Sequence, residues 1–470
     1  MAQPIAPDYA TVFLFPPCLE DWVPQDHYVR FLRELVDGLD LPALGFVVPT
    51  GSEGRPPYAA SLLLKIWLFG YVHKVFSSRK LEQACTENLP LLWLTGLVQP
   101  DHNSIWRFWR DNKKALGELF KHTVRLAVKV GLVGLALQAV DGTKIQAVAS
   151  NHSGWTKEGM EKRLQELDQV VEQAETQVQA QEQLPGLEPQ AQRLPRELAS
   201  RQQLKEKVQA GLAELAVNGR GHYHPQEPEA LRMKCEGRNR FAYNAQAGAD
   251  AQVGIVTAAE VAAQETDVNQ LTPMLQSAQA NVGSATAVAV ADTGYGSAED
   301  LAQAEQAGFT VIAPLCEGKP NNHPYHASQF TYRPQIDQVI CPQGQALSFE
   351  REKDRRGVPV RVFRCHCADC PVRDQCTRDK RGRMIEIGPH HATVVAHRQQ
   401  LGLPENQAKL RRRAVIIEPV FATIKQRLGF RRWTVRGLIN VRAQWSLLCL
   451  TVNLIKLWTV WQKGAWLMDS

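Results

Sequence analysis

Two runs of small apolar residues, far apart in the chain, each close on an aspartate. Leu-Ala-Leu-Gln-Ala-Val (135–140) precedes Asp141-Gly142, and Ala-Val-Ala-Val-Ala (287–291) precedes Asp292-Thr293-Gly294. Short, apolar and bounded by turn-forming residues, each is expected to be a strand that ends at its acid. A lone strand leaves backbone groups unpaired, so both need a sheet. Strand patterns recur over 241–250, 253–261 and 285–291, followed by a helix over 298–307 and a strand over 309–314. Strands and then a strand-helix-strand unit predict a mixed α/β sheet.

At roughly 150 residues per domain, the length suggests about three domains. Residues 1–130 read as helical. Residues 58–72 form a long apolar stretch after Arg55-Pro56-Pro57, residues 79–88 carry Leu81 and Cys85 at helical spacing, and residues 100–104 make a turn and cap before a helix bearing Trp106 and Trp109. Arg107 and Arg110 share one face of that helix, where they either reach phosphate or cover apolar surface beside the tryptophans. Further on, Leu164, Leu167, Val171, Ala174 and Val178 step by three and four. Pro185, Gly186 and Pro189 interrupt the seam, and Leu204, Val208, Leu212 and Leu215 resume it. An inserted helical hairpin is expected, serving dimerisation or acting as a spacer.

The net charge of +6 is unevenly distributed. Residues 351–436 hold 21 Lys and Arg against 8 Asp and Glu, a local +13 that leaves −7 for the remainder. With Phe421, Phe430, Trp433 and Leu438 interleaved, the block reads as a folded polyanion-binding face, against the alternatives of a basic tail or a solvated surface. Five of the ten cysteines fall within residues 341–376, overlapping that block: Cys341, Cys365, Cys367, Cys370 and Cys376. Cys341, Cys367, Cys370 and Cys376 can supply four thiolates to a structural Zn²⁺, with Cys365 or His366 able to replace one of them. Clustered cysteines without a signal peptide point to a reducing, cytoplasmic compartment. The most apolar runs (62–72 and 446–461) are each broken by Lys, Gly or Asn, so no membrane span is expected.

Carboxylates at the ends of neighbouring central strands converge at one sheet edge. Facing carboxylates repel unless a cation neutralises them, and hard divalent ions take oxygen ligands. A third acid, Glu418 in Val-Ile-Ile-Glu-Pro-Val-Phe, stands at the start of a helical segment. Because Pro419 follows it, the helix either begins there or continues with a kink. If it continues, Arg411, Glu418, Lys425 and Arg432 form one stripe. Three such acids suit two Mg²⁺ or Mn²⁺ ions and phosphodiester chemistry. Taken singly, Asp-Gly and Asp-Thr-Gly are also ordinary turn sequences. The chain has no G-x4-GK[ST] loop, no H-E-x-x-H and no G-x-S-x-G.

Gly54-Arg55-Pro56-Pro57-Tyr58, Ser77 through Glu82, Pro100-Asp101-His102, Val140 through Ile145, Tyr243-Asn244-Ala245-Gln246, Asp292-Thr293-Gly294-Tyr295, Glu418-Pro419-Val420-Phe421 and Arg436-Gly437-Leu438 follow one another along the chain. Together these motifs resemble bacterial insertion-sequence transposases of the DDE type. The resemblance implies an RNase H-like core, Mg²⁺-dependent cleavage and strand transfer at terminal inverted repeats, and Asp141, Asp292 and Glu418 as the DDE acids. It also implies nucleoid-associated action on double-stranded DNA and a homodimer that holds both element ends. Lys425 fits the family's Tyr/Arg/Glu/Lys signature, but Arg411 stands at the Tyr position and Ala at 414, leaving Arg413 as the substitute arginine. Lys425, Arg431, Arg432 and Arg436 are the expected DNA contacts, with Trp433 stacking on a base. The rival reading is a relative that binds DNA without catalysis.

The expected organisation is a DNA-binding and dimerisation domain over 1–130 and a catalytic core over 131–156, 221–340 and 385–440. A hairpin over 157–220, a zinc module over 341–384 and a C-terminal helix over 441–470 complete it.

Overall fold

The computed structural model describes residues 18–48, 56–182, 193–316, 324–355, 357–365 and 367–464. Gly54, Arg55, the break at Pro185, Gly186 and Pro189, His366, and the side chains of Ala174 and Val178 lie outside the described residues.

Helices α1 (Tyr28–Asp37), α2 (Ala60–Val72), α3 (Ser78–Glu87), α4 (Leu89–Thr95), α5 (His102–Asp111) and α6 (Lys113–Lys129) precede the first strand. Asp101 caps α5, its carboxylate accepting the amides of Asn103 and Ser104 at 3.0 Å each, which satisfies donors that a helix start leaves free. Strand β1 (Gln138–Gln146) follows, then β2 (Trp155–Thr156) and the hairpin helices α7 (Lys157–Glu182) and α8 (Arg193–Asn218). The hairpin fills its own seam: Leu164, Leu167, Val208, Leu212 and Leu215 pack on one another. Next come β3 (His222–Tyr223), β4 (Leu231–Cys235), β5 (Arg238–Asp250), β6 (Val256–Ala262), α9 (Leu271–Val282), β7 (Ala289–Val290), α10 (Ala298–Gln306) and β8 (Val311–Ile312).

β1 lies at the centre of a sheet ordered β4-β5-β1-β7-β8, with β6 also on β5. It runs antiparallel to β5 over its whole length and parallel to β7. β4 and β6 share the other edge of β5, pairing with its first and second halves. The interior of β5 carries small residues (Ala242, Ala245, Ala247, Ala249), all buried, so helices can approach the sheet closely.

A second sheet is built from β9 (Thr331–Arg333), β10 (Gln338–Ile340), β11 (Ala346–Arg355), β12 (Val358–Arg364) and, after the short α11 (Arg373–Cys376), β13 (Met384–Ile387). Helices α12 (His391–Leu401), α13 (Pro404–Ala422) and α14 (Leu438–Trp461) close the chain. By length and composition α14 is apolar enough to cross a membrane, but most of it is buried in the core. Its Trp445 donates to the Gln246 carbonyl at 2.8 Å, and its Asn453 exchanges two hydrogen bonds with the Val256 backbone. Buried polar groups paired in this way hold the helix in register against the sheet.

Sequence expectations for a strand, a turn and a helical stripe are corrected here. Asp141 does not end its strand; β1 continues five residues beyond it, because β5 offers a ladder as far as Ala242. The Asp141-Gly142 pair is therefore not a turn. Glu418 lies inside α13, and Pro419 is accommodated within the helix. Proline removes the amide that would bond to Val415, but Val415 is 75% exposed and Pro419 is also exposed, so water can serve the freed carbonyl. The stripe proposed from Arg411 to Arg432 does not persist. A π-type turn at Thr423–Arg427 ends the helix, and Arg432 bridges to Gln146 of β1.

Candidate active site

Parallel pairing of β1 with β7 sets Gln138 opposite Ala289 and Ala139 opposite Val290. Asp141 and Asp292 each lie two residues beyond that last pair, so the two acids reach the same level of the sheet. β7 ends at Val290, and Asp292 caps the turn Thr293–Tyr295, accepting the Gly294 amide at 2.8 Å. Asp141 accepts the Gly142 amide at 2.7 Å on Oδ1 and Arg413 Nη1 at 2.6 Å on Oδ2. Burial pushes the Asp141 carboxyl above its usual range; Arg413 pulls it back down and the nearby Asp292 pushes it further up.

Glu418 is exposed on α13, the helix that also carries Arg413 and packs on β1. Among the described residues no group of three or more His, Cys, Asp or Glu is placed to hold a metal ion. The structure thus brings Asp141 and Asp292 together and does not gather Glu418 with them.

The candidate DNA contacts divide. Arg436, Arg107 and Arg110 are exposed, and Arg110 pairs with Asp111 at 2.7 Å. Arg431 is exposed and pairs with Glu236 at 2.7 Å. Lys425 is half-buried, its pKa lowered by burial and partly restored by Cys235 and Glu236. The Arg432 side chain binds the carbonyls of Ala147 and Val148 at 3.1 and 2.6 Å. Trp433 is corrected: it is 2% exposed and its indole donates to the Ile145 carbonyl at 3.1 Å. It belongs to the core and cannot stack on a base.

Arginines of the basic block also pair with acids in and just before it. Arg361 binds both oxygens of Asp337 at 2.6 Å, and buried Arg364 reaches Glu350 and Asp379 at 3.0 Å each. A local +13 therefore overstates the cationic surface.

All ten cysteines are free thiols. Cys341, Cys365, Cys367, Cys370 and Cys376 line one small cavity of about 20 Å³. The Cys365 thiol is pushed up to about 12 by burial and by its cysteine neighbours, and burial likewise raises Cys376. The cysteines converge, yet their positions form no closed metal-ligand set.

Residues that the motif reading left without a role surround the paired aspartates from behind: Lys144, Asn244, Gln246, Asp267 and Tyr295. The first three and Tyr295 stand inside quoted motifs, so spacing marked them. Asp267 had no signal beyond following a strand.

Residues 340–458 match the family described as transposase DDE domain, and residues 17–111 match the family described as transposase domain (DUF772). The first match contains Glu418 and the cysteine cluster; Asp141 and Asp292 lie between the two. No curated protein matches the chain, and no solved structure does. Two segments of the chain, together less than half of its length, are thus similar to transposase families. Together with the motifs, they support an insertion-sequence transposase of the DDE type.

Proposed function

We infer that the protein cleaves DNA at the terminal inverted repeats of an insertion sequence and joins the freed ends to target DNA. The observation that carries this reading is the parallel pairing of β1 with β7, after which Asp141 and Asp292 each follow the last pair by two residues. The strand order β6-β5-β1-β7-β8, antiparallel on one side of β1 and parallel on the other, supports an RNase H-like core.

The two carboxylates offer hard oxygen donors that fit Mg²⁺ or Mn²⁺, and Glu418, on the helix beside them, is the proposed third ligand. Two such ions, held by these residues, would supply an activated attacking oxygen and would neutralise charge on the leaving one. The chain's own residues do the rest. Asp141 and Asp292 hold their carboxylates side by side, and Arg413 brings a guanidinium to that edge, where a phosphate has a partner. Lys425, Arg431 and Arg436 extend cationic contact along the duplex, and Arg107 and Arg110 add a second surface. At least a homodimer is proposed, so that both element ends are held, with the α7–α8 hairpin as the bridge. The protein acts on nucleoid DNA in the cytoplasm. For the cysteines the donor chemistry fits a structural Zn²⁺.

The test is strand cleavage of DNA carrying the element's own ends in Mg²⁺, comparing wild type with Asp292→Asn. Cleavage by wild type alone is expected. Equal cleavage by both proteins overturns the reading, and no cleavage by either with DNA binding intact makes the chain a non-catalytic DNA-binding relative.

A further inference from the structure

Behind the two aspartates lies a hydrogen-bonded cluster centred on one oxygen. Oδ1 of Asp267 accepts Lys144 Nζ at 3.0 Å, Asn244 Nδ2 at 2.8 Å and Gln246 Nε2 at 2.7 Å. Gln246 Nε2 also reaches Asn244 Oδ1 at 2.8 Å, and Gln246 Oε1 accepts the Tyr295 hydroxyl. Side chains alternate across a strand, so Gly142 and Lys144 face opposite to Asp141. Gln246 and Asn244 stand directly across from Gly142 and Lys144 on β5. The cluster therefore backs the segment that carries Asp141.

Two glycines let it do so. A Cβ on Gly142 would sit 2.5 Å from Gln246 Nε2 and 2.7 Å from Asp267 Oδ1. A Cβ on Gly294 would sit 3.0 Å from Asp292 Oδ1 and 3.3 Å from Asp267 Oδ2. The Asp267 carboxylate thus fills the space beside both Gly142 and Gly294, and Tyr295 ties the Asp292 turn to the same hub through Gln246.

We propose that Asp267 is a positioning residue that sets the spacing of Asp141 and Asp292, acting by accepting hydrogen bonds from Lys144, Asn244 and Gln246. The part of this concerning metal affinity rests on the two-aspartate reading of the site; the mechanical part does not. Removing the hub frees the Thr293–Tyr295 turn and lets the carboxylates drift, and lost outer hydrogen bonds of this kind weaken metal affinity by roughly 10–100-fold.

The experiment uses the full chain with two readouts: amide hydrogen exchange over Thr293–Tyr295, and Mn²⁺ binding followed by electron paramagnetic resonance. Asp267→Ala is expected to speed exchange in the turn while the rest of the β1–β5 ladder stays protected, and to weaken Mn²⁺ binding roughly 10–100-fold. Asp267→Asn, whose carbonyl oxygen can still accept the three donors, is expected to rescue both. Unchanged exchange in Asp267→Ala overturns the proposal, as does an Asn variant that falls as far as Ala, because Asp267 would then act through its charge. Should Asp267→Ala fail to fold, Tyr295→Phe cuts the same path by one hydroxyl and must speed exchange in the turn. Asp292→Asn separates the readings: if it binds Mn²⁺ as wild type does, the metal site fails while the exchange data still decide the role of Asp267.

Discussion

Arg413 donates from Nη1 to Asp141 Oδ2 at 2.6 Å, joining α13 to the centre of the sheet with both side chains largely shielded from water. A carboxylate held there is opposed by burial and by Asp292, and Arg413 is its compensating charge. Arg413→Gln should therefore lower the denaturation midpoint at neutral pH by an amount equivalent to about 1.5–3 kcal/mol, the range for hydrogen bonds to charged groups. The sign with pH follows from the raised Asp141 pKa. Below it the carboxyl is protonated in the folded protein and needs no cation, so the penalty fades as the solution is acidified. Urea unfolding at neutral and mildly acidic pH, with an Asp141→Asn cycle, checks this; a cost unchanged in the Asn background contradicts the pairing.

Gly142 and Gly117 separate two reasons for a glycine. A Cβ at 142 meets three polar side-chain atoms within 3.1 Å, whereas one at 117, inside α6, meets nothing within 4 Å. Gly142→Ala should cost about 1–3 kcal/mol through overpacking. Gly117→Ala should gain roughly 0.5–1 kcal/mol from helix propensity. Thermal melts of the two variants should move in opposite directions, and a stabilised Gly142→Ala would refute the close approach seen behind Asp141.

Much of this site was legible as residue type and little of it as geometry. The alanine-rich β5 and the two aspartate-closed runs were readable because small apolar residues bounded by turn formers leave few alternatives. The extent of β1 was not, since hydrophobicity stops at Asp141 while the partner ladder runs on to Gln146. The second sheet was hidden for a related reason: β11 is exposed along almost all its length and rich in charge, so its residues read as part of a zinc module and a basic polyanion-binding face, with no strand signal. Trp433 misled because an aromatic among arginines suits a DNA face as well as a core. Only the packing of Tyr243, Phe430 and Trp445 around it decides which.

The cysteine cluster makes its own prediction. Thiols raised by burial, such as Cys365 at about 12 and Cys376, stay protonated at neutral pH unless a cation stabilises the thiolate. If the proposed Zn²⁺ is bound, metal analysis of purified protein should find about one zinc per chain. Cys370→Ser should lose it, and Cys449→Ser, fully buried in α14, should keep it. Zinc content unchanged by Cys370→Ser would remove the assignment.

Lys456 offers a stability test far from the chemistry. Burial in α14 lowers its pKa from 10.5 to about 8, and its ammonium donates to the Gly254 carbonyl. Between those two values the unfolded chain holds a proton that the folded protein has released, so this group makes stability rise with pH from about 8 to 10.5. Below pH 8 the full cost of burying the charge is present. Lys456→Met keeps the apolar stem and removes that cost, so it should raise the melting temperature at pH 7, with the gain shrinking across the same window. The opposing effect is the Gly254 carbonyl, which loses its donor and can reclaim about 1–3 kcal/mol. A Met variant that melts lower than wild type at pH 7 would show that this single hydrogen bond outweighs the desolvation of the charge.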